Sequence, residues 1–322
     1  MLYLTGFEGS NAAVLVEPDR VRLFTDFRYA ERARELEGVE LEETRRHIFG
    51  DLDGRLPGRV GFEPDALTHA NYELLRATGT GLAARPGLVE SLRAVKEPAE
   101  LDAIRRATKV TNRTYEALAE EQFSGRTEKD LVWRMTELFH EHGADEPAFA
   151  IDIAAGPTAA SPHAVPGDRV VQEGDLVLVD AGAKVDGYCS DCTRTFAVGE
   201  VSDSLREIYE VTRLAQQAGL DAVRPGATGR EADAAARAVI SEAGYGENFG
   251  HGLGHGIGLL VHEAPVLRPE STDTLEPGNA VTVEPGIYLS GVGGVRIEDL
   301  VFVTEDGCDV LTTLPKELLT VS

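Results

Sequence analysis

The stretch DLVLVDAGAKVDGYCSDCTRTFAV, residues 175–198, decides the fold. Its first arm, Leu176 to Val179, is a continuous apolar, β-prone run that ends on Asp180. Asp186-Gly187 supplies a tight-turn dipeptide, because both positions of the favoured two-residue hairpin turn need positive φ. Pairing about that turn sets Asp180 opposite Thr193, with Asp191 two positions away. Side chains alternate faces along a strand, so Asp180 and Asp191 project from the same face of the hairpin.

A second hairpin, NAVTVEPGIYLSGVGGVRIEDLVFVTEDG, occupies residues 279–307. A turn centred near Gly291 sets Glu284 opposite Glu298, again on one face. Two hairpins thus present two carboxylate pairs, each held together by register. Like charges this close stay apart or protonated unless a cation holds them. Between the hairpins lies HGLGHGIGLLVHE, residues 251–263, with His251, His255 and His262 among four glycines. A phosphate-binding loop is excluded: no G-x-x-x-x-G-K-[ST] is present, and Arg237 is the one Lys or Arg between 231 and 267. The glycines serve instead to let backbone pass close to a site. One imidazole added to four carboxylates makes an oxygen-rich site for Mn, Co, Zn or Fe, as two divalent ions about 3.5–4 Å apart. The C-x-x-C pair Cys189/Cys192 has no second pair to complete a zinc site, and strand alternation turns the two thiols to opposite faces.

Around these hairpins the pattern alternates. Helical periodicity covers about 97–120, with Pro98 in the tolerated first turn, and about 127–142. Further helices are read at about 202–220 and 229–243. The order helix, helix, hairpin is therefore repeated, a coarse internal duplication that predicts an α+β domain with helices packed outside an antiparallel sheet. Upstream, 12–16 and 21–25 read as strand, turn, strand; 26–37 as a helix capped by Asp26; 39–43 as a strand; 64–78 as a helix. The Gly- and Pro-bearing segment at about 79–90 separates a smaller α/β domain, residues 1–88, from a larger domain, residues 89–322.

The chain has 322 residues, a net charge of −24 and a pI near 4.7. Such acidity opposes binding to nucleic acid and to anionic lipid. Only five residues are Lys, which suits a high-salt cytoplasm and a GC-rich genome equally. No apolar run reaches membrane-spanning length, and the start carries no secretory-signal pattern. Three Cys, an odd number, suit a reducing cytoplasm.

The ordered set Asp180, Asp191, His255, Glu284 and Glu298, with VDAGAKVDGYCSDCTRTF, HGLGHGIGLLVHEAP and EPGIYLSGVGGVRIED around it, resembles the pita-bread metallopeptidases, and most of all their proline-specific branch of Xaa-Pro aminopeptidases and prolidases. YLTGFEGSNAAVLV and LFTDFRYAERA resemble the creatinase/prolidase N-terminal domain. That domain usually begins with one more strand and helix, so the start is either truncated or reduced. The resemblance implies a C-terminal pita-bread fold with a pseudo-twofold antiparallel sheet and outer helices. It implies two divalent metal ions, manganese foremost, with Asp191 and Glu298 bridging, Asp180 on one ion, and His255 and Glu284 on the other. It implies attack on an Xaa-Pro bond by a metal-bridging hydroxide, with Glu284 handling the nucleophile's proton. His262 would meet the tetrahedral intermediate, His163 the leaving nitrogen, and His251 the pocket. Arg296 would orient the carboxylates, with Tyr288 in support. A homodimer acting on proline-containing peptides follows from the same resemblance, and the cysteine count and the lack of a signal pattern set it in the cytoplasm. The alternatives are a metal-free creatinase-like hydrolase and a catalytically inactive protein-binding module of the same fold; both predict lost ligand positions, and none is lost here.

Overall fold

A computed structural model describes residues 1–322, which divide into two compact units, Met1–Ser91 and Leu92–Ser322. In the first, helix α1 (Leu2–Thr5) precedes strands β1 (Ala12–Val16) and β2 (Val21–Asp26), then the short helix α2 (Ala30–Ala33) and strand β3 (Val39–Thr44). β1 and β2 are antiparallel, and β3 joins β2 in parallel. Strand β4 (Arg59–Phe62), helix α3 (His69–Ala77) and strand β5 (Gly81–Ala84) follow, β4 and β5 forming a parallel pair. Two small cores hold the unit, one on Phe24, Ile48, Leu52 and Leu75, the other on Phe7, Leu23 and Ala33. The expected helix over 26–37 shrinks to the single turn of α2. Asp26 does not cap it: the residue ends β2, fully buried, and its carboxylate accepts from Asn11 and from Arg28. The reading at 64–78 likewise shortens to α3, because Thr68 in extended backbone caps the chain there and accepts the Asn71 N–H.

Helix α4 (Leu88–Ala94) leads into the second unit. There α5 (Pro98–Ala119), started by Pro98 and a capping box from Glu97 and Glu100, and α6 (Glu128–His142), capped by Thr127, pack together. They are followed by β6 (Glu146–Pro147), β7 (Asp152–Ala155), β8 (Leu176–Asp180), β9 (Ala183–Val185), β10 (Tyr188–Cys189) and β11 (Thr193–Val198). Helices α7 (Asp203–Ala222) and α8 (Gly229–Glu242) repeat the pair. Then come β12 (Gly254–Gly256), β13 (Glu263–Leu267), β14 (Ala280–Val283), β15 (Gly286–Leu289), β16 (Gly293–Arg296), β17 (Asp299–Val303), β18 (Cys308–Val310) and β19 (Thr320–Val321). The two larger sheets run β19-β11-β8-β7 and β13-β12-β14-β17-β18. Each carries its own helix pair: Leu118, Leu131, Met135 and Phe139 pack on Val177, Val179 and Phe196, while Ile208, Leu220, Ala236 and Ile240 pack on Val281, Val283 and Val301. The duplicated helix-helix-hairpin order therefore becomes two half-sheets with helices outside, and the opposite faces of the two hairpins are left to build a site.

Candidate metal centre

The first hairpin forms in the expected register. β8 and β11 pair Asp180 with Thr193, and β9 and β10 continue the same register through Val185 and Tyr188. Asp186 and Gly187 turn the chain with φ of 51° and 81°. Gly182 is required where the arms cross: a Cβ there would lie 1.8 Å from the Ser190 carbonyl oxygen. Asp180 and Asp191 accordingly share a face.

The second hairpin is one register in two pieces. β14 and β17 pair Val283 with Asp299, β15 and β16 pair Gly286 with Arg296, and both ladders obey the same offset. The gap between them holds Glu284 and Glu298, opposite one another. The Glu298 N–H donates to the Thr193 carbonyl at 3.1 Å, which fastens the second hairpin onto the first. Carboxylate oxygens of Asp180, Asp191 and Glu298 come within 4.8 Å of one another.

The centre of the His-rich segment is neither linker nor phosphate loop but a short strand, β12, with His251 and His262 in the irregular backbone on either side. β12 pairs with β13 and, through Gly256, with Val281 of β14. Its glycines are dictated by contact: a Cβ on Gly254 would lie 2.0 Å from the Thr282 carbonyl oxygen, and one on Gly256 2.3 Å from that of Ala264. Between them, His255 turns Nδ1 to the Gly256 carbonyl at 3.1 Å, so Nδ1 carries the proton. Nε2 then lies 3.2 Å from Glu284 Oε1 and 3.7 Å from Asp191 Oδ2. His262 lies edge-on to the His255 ring at 4.3 Å between centroids.

Arg296 is buried in the centre. It donates to Asp180 Oδ2 at 2.6 Å, Thr193 Oγ1 at 3.0 Å, Tyr288 Oη at 2.8 Å and the Pro162 carbonyl at 3.2 Å. Tyr288 Oη meets His251 Nε2 at 2.9 Å, while His251 Nδ1 faces the Gly252 carbonyl at 2.8 Å. The chain Arg296, Tyr288, His251 thus runs along one wall. His163 stands exposed on the loop that Pro162 ties to Arg296, near enough for its charge to act on Asp152, His251 and His262.

Charge in the centre is unbalanced. Burial pushes the carboxyls of Asp191 and Glu298 well above their usual range, and the neighbouring carboxylates push them further. Burial also acts upward on Glu284, but the His255 hydrogen bond and charge outweigh it and bring the group down to about 2. His255 is raised: burial lowers it, and Glu284 more than reverses that. Burial holds His251 below the ordinary imidazole value, and partial burial with His255 nearby does the same to His262.

Three contributors were not read from the sequence. Thr193 donates to Glu298 Oε2 at 2.8 Å, and Thr282 donates to Glu284 Oε1 at 2.8 Å while accepting the His255 N–H. Asp152, opposite Asp180 on β7, is half-buried and raised to about 6, by burial first and Asp180 second. Same-face parity exposes both threonines: Thr193 pairs with Asp180, and Thr282 lies two residues before Glu284. Cys189 and Cys192 are free, buried in different cores, and take no part.

Buried acidic oxygens drawn from two hairpins and a strand, with an imidazole among them, define a metal-dependent hydrolytic centre. The description metallopeptidase family M24 matches residues 102–305, and creatinase/prolidase N-terminal domain matches residues 1–95. The chain belongs to metallopeptidase family M24. It is similar to an Xaa-Pro dipeptidase of Pyrococcus furiosus, 41% identical over 72% of this chain and 67% of that protein. Among solved structures, an Xaa-Pro dipeptidase from Bacillus anthracis superposes with a TM-score of 0.96 at 41% identity, over 99% of this chain and 92% of that one. An X-Pro aminopeptidase from Thermotoga maritima gives 0.91 at 33% identity, over 99% and 93%. No helix is long and apolar enough to cross a membrane.

Proposed function

We propose that this protein is an Xaa-Pro peptidase whose two divalent metal ions, manganese foremost, are held by Asp180, Asp191, His255, Glu284 and Glu298. One observation carries the reading: the donors converge with atoms left over. His255 Nε2 is aimed between the carboxylates of Glu284 and Asp191, and Asp180 Oδ1 and Glu298 Oε1 are buried without a hydrogen-bond partner. Buried polar atoms in that state are costly unless a cation sits among them. When bound, the ions supply a Lewis acid for the scissile carbonyl and a hydroxide at neutral pH.

The chain's own groups do the rest. Glu284, ionised over the neutral range, takes the nucleophile's proton. Arg296 fixes Asp180 and offsets part of the acidic charge. His262, held neutral, offers an N–H donor where negative charge develops on the carbonyl oxygen; His251, its Nδ1 proton given to the Gly252 carbonyl and its Nε2 accepting from Tyr288, lines the pocket and orients that hydroxyl. His163 delivers a proton to the leaving nitrogen. Proline suits such a site because an Xaa-Pro bond is a tertiary amide with no N–H to hold; the ring and its secondary-amine leaving group have to be placed by the pocket walls. The relatives named above support that substrate class.

We further propose a homodimer in the cytoplasm, on the strength of the family resemblance and of three unpaired thiols; sedimentation tests the first part and fractionation the second. The test of function is hydrolysis of an X-Pro dipeptide and an X-Pro-Y tripeptide by chelator-stripped protein titrated with Mn, Co and Zn. Metal-restored cleavage at the X-Pro bond is expected. No cleavage with any metal overturns the enzyme reading, and equal cleavage at non-proline bonds overturns the substrate class.

A further inference from the structure

The loop that carries His262 is built around a buried charge cluster outside the metal centre. The backbone leaves β12 at Gly256 and returns at Glu263, its partner across the ladder. Between them the loop closes on the Glu263 carboxylate. The Leu260 N–H donates to Oε1 at 2.8 Å, the Gly258 N–H donates to the Leu260 carbonyl at 3.0 Å, and a Cβ on Gly258 would lie 2.9 Å from Glu263 Oε2. Two cations grip the same carboxylate from the segment that opens the second unit: Arg93 pairs with Oε1, and Lys96 Nζ lies 3.4 Å from Oε2. Their side chains are 15% and 1% exposed, and that of Glu263 6%. That segment is itself anchored to the sheet, since the Lys96 N–H donates to the Gly278 carbonyl and Asn279 Nδ2 to the Ala94 carbonyl, both at 2.9 Å.

Burying three charged groups is an expensive way to gain stability, because apolar side chains of the same size serve as well or better. What the cluster does that apolar packing does not is hold an acceptor under Leu260 at a fixed position, one residue from His262. We propose that Arg93 and Lys96 are positioning residues for His262: by pinning Glu263 they set the loop that holds the imidazole edge-on to His255. The inference rests on the reading that His262 meets the substrate.

The test is a double-mutant cycle between Lys96→Met and His262→Ala in the full-length, metal-loaded protein, with the metal-free protein followed by imidazole 15N NMR. Lys96→Met is expected to lower kcat by about 10- to 100-fold with little change in KM, the size of effect that displacement of a positioned group produces. In the His262→Ala background it should cost almost nothing further, and Lys96→Arg should recover most of the loss. The His262 ring resonances should move in Lys96→Met while those of His251 stay. Equal losses of kcat in both backgrounds, or unmoved His262 resonances, overturn the proposal. If Lys96→Met does not fold, Glu263→Gln, which keeps the acceptor but loses the ion pairs, is judged by the same readouts. Wild-type protein that cleaves no X-Pro peptide overturns the function instead, and the NMR arm alone then decides on the positioning.

Discussion

Replacing Glu298 by Gln should make the metal-free protein more stable, not less. The carboxylate lies within 4.8 Å of those of Asp180 and Asp191. At that separation each like-charged pair costs about 3.5 kcal/mol with an effective dielectric constant of about 20. Part of this is already relieved, because Asp191 and Glu298 hold protons to higher pH than ordinary carboxyls, so a net gain of about 1–3 kcal/mol at pH 8 is expected. The amide keeps the acceptor that Thr193 uses and turns its N–H₂ toward the other carboxylates. The sign of the pH dependence follows. A carboxyl raised in the folded state contributes its full stability below its unfolded value, near 4, and loses it as pH climbs through the folded value. His255, also raised, acts in the same direction above its unfolded value. Glu284, brought down to about 2, is ionised folded and unfolded across pH 5–8 and adds no slope there. Asp152, raised to about 6, acts with these groups, and His251 and His262, held low, act against them; Glu298→Gln leaves all three in place and removes one raised carboxyl, so the change in stability from pH 5 to pH 8 in chelator should be less unfavourable in the variant than in wild type. Urea and thermal melts in chelator at both pH values read this out, with a rise in Tm of about 2–4 °C per kcal/mol for a unit of this size. Addition of Mn should stabilise wild type and hardly affect the variant. A Glu298→Gln protein less stable than wild type at pH 8 in chelator, yet equally stabilised by Mn, would refute the reasoning.

Arg296→Met strips Asp180, Tyr288 and Thr193 of a shared buried donor; metal-free stability should fall by about 3–5 kcal/mol, less when Mn is bound, as paired denaturation curves would show. Tyr288→Phe cuts the Arg296–Tyr288–His251 chain and should lower kcat/KM about tenfold, equivalent to one net hydrogen bond of roughly 1.5 kcal/mol, in steady-state assays. Gly254→Ala puts a methyl 2.0 Å from the Thr282 carbonyl oxygen; a loss of about 1–3 kcal/mol from overpacking, together with weaker metal affinity by calorimetry, is expected.

The sequence was readable where period and turn agreed. Strand alternation about Asp186-Gly187 and Gly291 placed four carboxylates on their faces, because a one-residue slip in either hairpin would have sent apolar Val and Leu to the wrong side. The His segment was harder: its glycines erase the apolar alternation that marks a strand, and the reason for them, the carbonyl oxygens of Thr282 and Ala264, lies on other strands. The run 26–37 looked helical by composition, yet Asp26 is held in β2 by Asn11, a contact fifteen residues away. Asp152 was missed because IDIAAG is too short and too small-chained to announce β7, and the Glu263 clamp because its cations lie 170 and 167 residues upstream.

The proposed donor set reaches from Asp180 to Glu298, so the centre does not exist on the ribosome until Glu298 has been made. Glu298, which closes it, belongs to the strand pair that also ties the two half-sheets through Thr193. Loading of the proposed ions therefore follows assembly of both halves, because neither hairpin alone brings Asp180, Asp191 and Glu298 together.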